Sequence, residues 1–253
     1  MFKLTDKTAI ITGAAAPRGL GRAIALAMSR QGAKVAVCDV DLEGVEKVAT
    51  EIRNNGGDAN AYRVDVTRSA EIADMTEDLL KRWGHIDILV NNAGITQRST
   101  VMDMTEKDWD RVIEVNLKGI FLMTKAVLPT MIAQKYGRII NMGSVSGKRG
   151  GGVFGGAHYS AAKAGVQVFA KALAREVSPI GITVNSVAPG LIATDIRGGL
   201  ESPEEQIRMS ADIPCRRMGT PEEVAAVFCF LASDEAAYIT GEDIDINGGS
   251  HMD

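Results

Sequence analysis

The chain has 253 residues, 45% hydrophobic, 24% charged and 5% aromatic, with a formal net charge of -4 and a pI near 5.5. That length fits one domain with a sizeable core, and the weakly acidic balance offers no field for nucleic acid. No apolar run approaches the ~20 residues of a membrane-spanning helix, so no membrane partner is expected. Cys38, Cys215 and Cys229 form an odd set without metal-ligand spacing, and Met1 to Asp6 carry no secretory signal. Reduced thiols, no metal and a cytoplasmic location are the expectation.

Lys7 to Thr12 reads as a short buried strand. It runs into Gly13-Ala14-Ala15-Ala16-Pro17-Arg18-Gly19-Leu20-Gly21 and an apolar-periodic helix, Arg22 to Arg30. Strand, glycine turn and helix together predict a dinucleotide site. Glycines let the backbone approach a pyrophosphate, and a helix start supplies N–H groups and positive dipole. A tight loop is the plain alternative, and the flanking strand and helix favour the cofactor. Gly32 to Cys38 is a second strand ended by Asp39, an acid about 20 positions on that can hold a ribose 2'-hydroxyl and oppose the extra phosphate of NADP. Asp41 is the better helix cap.

Leu42 to Asn54 is an amphipathic helix, Ala59 to Val64 a third strand ending at Asp65-Val66, Ser69 a helix start and Ile86 to Val90 a fourth strand. Strict alternation predicts an α/β fold, a parallel sheet with helices on both faces in a single domain. Asn91-Asn92-Ala93-Gly94 follows the fourth strand at its carboxyl end, where such sheets bind ligands. A long helix from about Thr105 to Gln134 carries Asn116 among apolar residues, either as a structural bridge or as part of a polar relay. Arg138 to Met142 is strand five, and Gly143 to Gly147 follow it. Lys148 to Gly156 reads as an adaptable glycine-rich loop.

Ala157 to Val177 is a helix that carries Tyr159 and Lys163. Residues four apart share a helix face, so an ammonium can sit beside a phenol. A free phenol titrates near pH ~10, and a neighbouring positive charge lowers that value, yielding a general base for an alcohol proton. Thr183 to Val187 is strand six, leading to Pro189-Gly190. Leu191 to Ala211 reads as a mobile helical excursion, a substrate lid at about 191–215 with hinge freedom at Gly198-Gly199. Thr220-Pro221-Glu222-Glu223 starts a helix, and Asp243 to Ile246 is the last strand.

Taken together, Thr12-Gly13, Gly19-Leu20-Gly21, Asp65-Val66, Asn91 to Gly94, Asn116, Ser144, Tyr159, Lys163 and Pro189-Gly190 resemble the short-chain dehydrogenase/reductase family along essentially the whole chain. The resemblance implies a Rossmann-type doubly wound sheet of seven parallel strands and a homotetramer pairing the long helices. It implies that Ser144 binds the substrate oxygen, Tyr159 is the general acid/base, Lys163 lowers the phenol pKa and binds the nicotinamide ribose, and Asn116 holds a water linking Lys163 to solvent. Asp39 would take the adenosine ribose, Asp65 and Val66 flank the adenine, and Asn92, Ala93 and Gly94 line the cofactor. Pro189, Gly190, Ile192 and Thr194 would hold the nicotinamide end, and Gly13, Arg18, Gly19, Leu20 and Gly21 the phosphates. Two departures stand out: five residues separate Gly13 from Gly19, and the Ser144–Tyr159 gap is lengthened near Gly150-Gly151-Gly152.

Arg18 stands where NADP-preferring relatives often carry a basic residue, while Asp39 argues for NAD. The direct charge argument at Asp39 decides for NAD over NADP. Arg98, Ser146, Lys148, Arg149, His158 and Arg197 fall in stretches expected to ring the mouth, where one or two could clamp an anionic group. The expectation is an oxidoreductase acting on a small polar secondary alcohol: a polyol, sugar, hydroxy acid or hydroxysulfonate. The alternatives are a 3-oxoacyl-thioester reductase of the NADPH-preferring kind and a catalytically silent NAD-binding regulator.

Overall fold

The computed structural model describes residues 2–151, 155–197 and 202–252, without the side chain of Arg197. Seven strands form one sheet: β1 (Thr8–Thr12), β2 (Lys34–Asp39), β3 (Ala59–Arg63), β4 (Ile88–Asn91), β5 (Gly137–Met142), β6 (Ile182–Pro189) and β7 (Asp243–Ile246). Their order is β3-β2-β1-β4-β5-β6-β7, and every pairing is parallel. β1, β4, β5 and β6 are buried along their whole length, as parallel strands covered on both faces must be. The register Val90↔Ile140, Asn91↔Asn141 and Met142↔Val187 lines up the carboxyl ends of the central strands. The order reverses between β1 and β4, and a crevice opens there.

Helices α1 (Leu20–Arg30) and α2 (Leu42–Asn54) cover one face of the sheet, α3 (Ser69–Trp83) the other. Next come α4 (Glu106–Ile113) and α5 (Gly119–Gln134), then α6 (Val145–Arg149), α7 (Ala157–Val177), α8 (Pro203–Ser210) and α9 (Pro221–Ala232). One core packs α1, α2 and α9 against the sheet through Ile24, Val48 and Phe228. The other packs α3, α5 and α7 through Leu79, Val127 and Ala170. Asp41 caps α2 by accepting from the Gly44 N–H at 3.1 Å.

Several sequence expectations shift. The stretch Glu106–Gln134 is long and apolar enough to cross a membrane by length and composition. Its Val115, Met123, Val127 and Met131 are buried against the sheet, as in a core helix. It is also not uniform: Glu114–Lys118 form a π-turn around Asn116. The loop expected from Lys148 onward starts later, because Val145–Arg149 are helical behind the Ser144 cap. Gly152, Gly198 and Gly199, the positions read as an insertion and a hinge, lie outside the described residues.

Candidate active site

β1 and β4 present their carboxyl ends together, and Thr12 ties them. Its hydroxyl accepts from the N–H groups of Asn92 (3.1 Å) and Ala93 (3.0 Å) and donates to the Val90 carbonyl (3.3 Å). The Asn92 Nδ2 donates back to the Thr12 and Gly13 carbonyls at 2.8 and 2.9 Å. The two turns therefore form one floor. A Cβ on Gly21 would stand 2.3 Å from the Gly13 carbonyl oxygen, so only glycine lets α1 begin this close to the strand end.

α1 has no side-chain cap at Gly19 and no acid in its first turn, unlike the boxed and acid-flanked starts of α4 and α9. Its first N–H groups are left at the crevice without a side-chain cap. A cavity of about 440 Å³ runs from Gly13, Gly19 and Asp39 past Asn92 and Gly94 to Ser144, Tyr159 and Lys163, with Pro189, Gly190, Ile192 and Thr194 on the opposite wall. The cradle and the uncapped helix start fit a dinucleotide. The Asp39 carboxylate accepts from the Ala15 N–H at 3.1 Å and the Asp41 N–H at 3.2 Å, which holds it at one end of that cavity.

At the other end, Ser144 caps α6, its Oγ accepting from the Ser146 N–H at 3.1 Å. Gln167 secures the same residue by donating to the Ser144 carbonyl at 3.1 Å. The Ser144 hydroxyl bonds the Tyr159 phenol. Lys163 is buried, donates to the Met142 carbonyl at 2.6 Å and stands 5.6 Å from the centre of the Tyr159 ring. Burial lowers the Lys163 ammonium to about 8. Burial also raises the Tyr159 phenol, and the Ser144 hydrogen bond pulls it down. The ammonium thus bonds a carbonyl while lying beside the phenol ring, and the serine exerts a downward pull on the phenol.

The π-turn aims the Asn116 amide inward. Its Nδ2 donates to the Ile95 and Val112 carbonyls, both at 2.9 Å. Its Oδ1 is buried without a partner among the described residues. A Cβ on Gly94 would lie 2.6 Å from that oxygen and 3.6 Å from the Lys163 ammonium, so glycine keeps the space between them clear. Asn116 is thus both bridge and candidate relay.

A second cavity of about 330 Å³ opens beside Tyr159 and Ser144, lined by Ser146, Arg149, Leu191, Met209, Asp212, Ile213 and Ser250 among others. Arg149 Nη1 donates to the Ser250 carbonyl at 3.0 Å. Other expected mouth residues are elsewhere. His158 is fully buried, its Nδ1 accepting from the Tyr159 N–H at 2.9 Å, because the first turn of α7 faces inward. Lys148 is drawn away by Asp245 (2.7 Å) and Asp243 (3.5 Å) on β7. Arg98 is exposed and lines neither cavity, and the Arg197 side chain is outside the described residues.

Of the expected cofactor residues, Arg18, Gly21, Asp65, Val66 and Ala93 do not line the large cavity. Gly21 and Ala93 support its floor. Asp65 Oδ1 accepts from the Thr67 N–H at 2.9 Å, and Val66 packs under Gly119. Arg18 is held by Asp195 at 2.5 Å. Sequence reasoning named Thr12 without foreseeing its tie to β4, and it missed Gln167 and Asp195. Gln167 stands four residues after Lys163 on the α7 face, a signal that could have found it. Among the described residues no cluster suits a metal ion, and Cys38 and Cys229 are buried packing residues.

A family model described as enoyl-(acyl carrier protein) reductase matches residues 13–251. An uncharacterised short-chain type dehydrogenase/reductase of Sinorhizobium fredii is 44% identical over 247 residues, 97% of this chain and 98% of that one. The 3-oxoacyl-[acyl-carrier-protein] reductase FabG of Escherichia coli is 44% identical over 246 residues, 97% of this chain and 98% of its own. A solved structure titled as a putative gluconate dehydrogenase from Agrobacterium tumefaciens is 34% identical with a TM-score of 0.92, covering 98% of this chain and 97% of that one.

Proposed function

The chain belongs to the short-chain dehydrogenase/reductase family, and on that premise we propose that it interconverts a secondary alcohol and its ketone by NAD-linked hydride transfer, with Tyr159 as general acid/base. The observation that carries this reading is the meeting of Ser144, Tyr159 and Lys163 in a cavity whose far end holds Asp39. Gly13, Gly19, Asp39, Asn92, Gly94, Pro189, Gly190, Ile192 and Thr194 would hold a nicotinamide dinucleotide, which supplies the hydride donor or acceptor when bound. In oxidation the phenolate takes the hydroxyl proton while Ser144 orients the substrate oxygen. In reduction the phenol gives the proton back. Lys163 and the open Asn116 Oδ1 supply a polar path behind the phenol. Asp39 favours NAD, because its carboxylate is held where the charge of a 2'-phosphate would meet it.

Two substrate readings follow. A small polar alcohol, such as a polyol, sugar, hydroxy acid or hydroxysulfonate, is supported by the modest second cavity with its serines, Arg149 and Asp212, and by the neighbour titled as a gluconate dehydrogenase. Reduction of a 3-oxoacyl thioester is supported more strongly by the names of the curated relatives. The exposed Phe121 and Val168 on α5 and α7 support a homotetramer paired through those helices.

The test sets polyols, sugars, hydroxy acids and hydroxysulfonates with NAD and with NADP against a 3-oxoacyl thioester with NADH and with NADPH. NAD reduction by the small alcohols without thioester turnover supports the first reading. NADPH-linked thioester reduction supports the second. Dinucleotide binding without turnover anywhere would overturn both.

A further inference from the structure

Arg18 sits on the glycine turn that forms one wall of the large cavity, and Asp195 lies on the opposite wall after β6. The two are joined at two points. The guanidinium Nη2 meets Asp195 Oδ1 at 2.5 Å, and the Arg18 backbone N–H donates to Oδ2 at 2.9 Å. The next basic residue, Arg22 in the first turn of α1, is likewise taken, by Glu51 at 2.6 Å. Among the described residues lining the cavity, Lys163 is the only cation, and it stands at the end away from Asp39.

Asp39 is clamped to the same turn as Arg18, through the Ala15 N–H. A dinucleotide carrying a 2'-phosphate at that end would meet one carboxylate and, among the described residues lining the cavity, no cation, while Arg63, beside Asp39 on β3, pairs with Glu71 at 3.5 Å. Arg18 is the one basic residue on that turn, and Asp195 engages it. We propose that Asp195 is a specificity-determining residue: by holding Arg18 across the cleft it leaves Asp39 unopposed and so selects NAD over NADP. This rests on the reading of the cavity as an NAD site. The Arg18 side chain is 52% exposed, so the pair can open, and its effect is several-fold rather than absolute.

The test is isothermal titration of NAD and NADP into the full chain, read as the ratio of the two dissociation constants, with no turnover needed. Asp195→Asn is expected to move the ratio toward NADP by at least about threefold. Arg18→Ala alone is expected to leave the ratio within about twofold, since the guanidinium is already engaged. Arg18→Ala added to Asp195→Asn is expected to remove the gain, and the charge-conserving Asp195→Glu to keep the original ratio. An unchanged ratio in Asp195→Asn would overturn the proposal, as would an equal gain without Arg18 or a wild-type ratio already dependent on Arg18. The wild-type ratio by itself tests the NAD reading, so the two can fail separately.

Discussion

The Ser144 hydroxyl reaches the Tyr159 phenol and pulls its pKa down against the burial that pushes it up. In the proposed mechanism Ser144 would therefore tune the acid/base group as well as orient the substrate. Removing the hydroxyl leaves the burial effect unopposed. In Ser144→Ala the pH at which alcohol oxidation reaches its plateau should move upward, with a rate loss of ~10²-fold or more at neutral pH. A pH–rate profile of kcat checks this, and an unshifted limb would assign Ser144 to binding alone.

Lys163 carries a stability consequence of opposite sign to the usual surface lysine. Its folded value of about 8 lies below the ordinary 10.5. Between those limits the unfolded chain binds more protons, so this group's contribution to stability rises with pH across that window, and its full penalty applies below about 8. The cofactor-free Lys163→Met variant should gain stability over the parent at pH 7, and that advantage should shrink by pH 10. Urea titrations of both proteins at the two pH values read the difference.

Gly94 keeps the space between Asn116 and Lys163 clear. Alanine there would place a methyl carbon 2.6 Å from the Asn116 Oδ1. The amide must then turn away from its bonds to the Ile95 and Val112 carbonyls. Gly94→Ala should lower kcat by about tenfold or more, since misplacement by an ångström costs that order, while the melting temperature changes modestly. A full-rate variant would remove the relay from the account.

Arg149 is the one cation among the described residues lining the second cavity. If the substrate bears a carboxylate or sulfonate, Arg149→Ala should raise its KM roughly tenfold or more with a smaller effect on kcat, the loss of a charge-assisted bond of about 1.5–3 kcal/mol. An unchanged KM for the best anionic substrate would leave only neutral alcohols in that reading.

The proximity of Tyr159 and Lys163 was legible in the chain because helix geometry alone links them. Asp39 and the glycine turn were legible for the same reason, each being local to one strand end. Asn116 stayed ambiguous, since a π-turn leaves no distinct mark on an apolar helix. Lys148 and His158 were misplaced because their surroundings come from distant chain. Lys148 is drawn to Asp245 on β7, and the first turn of α7 buries His158. The Arg18–Asp195 pair joins residues 177 apart and has no local signal at all.

The central claim is that the Tyr159 phenol moves the alcohol proton. The direct measurement is single-turnover hydride transfer in Tyr159→Phe beside the parent, with NADH affinity measured on the same samples. The account predicts a rate lower by ~10²–10⁴ with the NADH dissociation constant within a few-fold of the parent. Hydride transfer at the parental rate with intact NADH binding would contradict it.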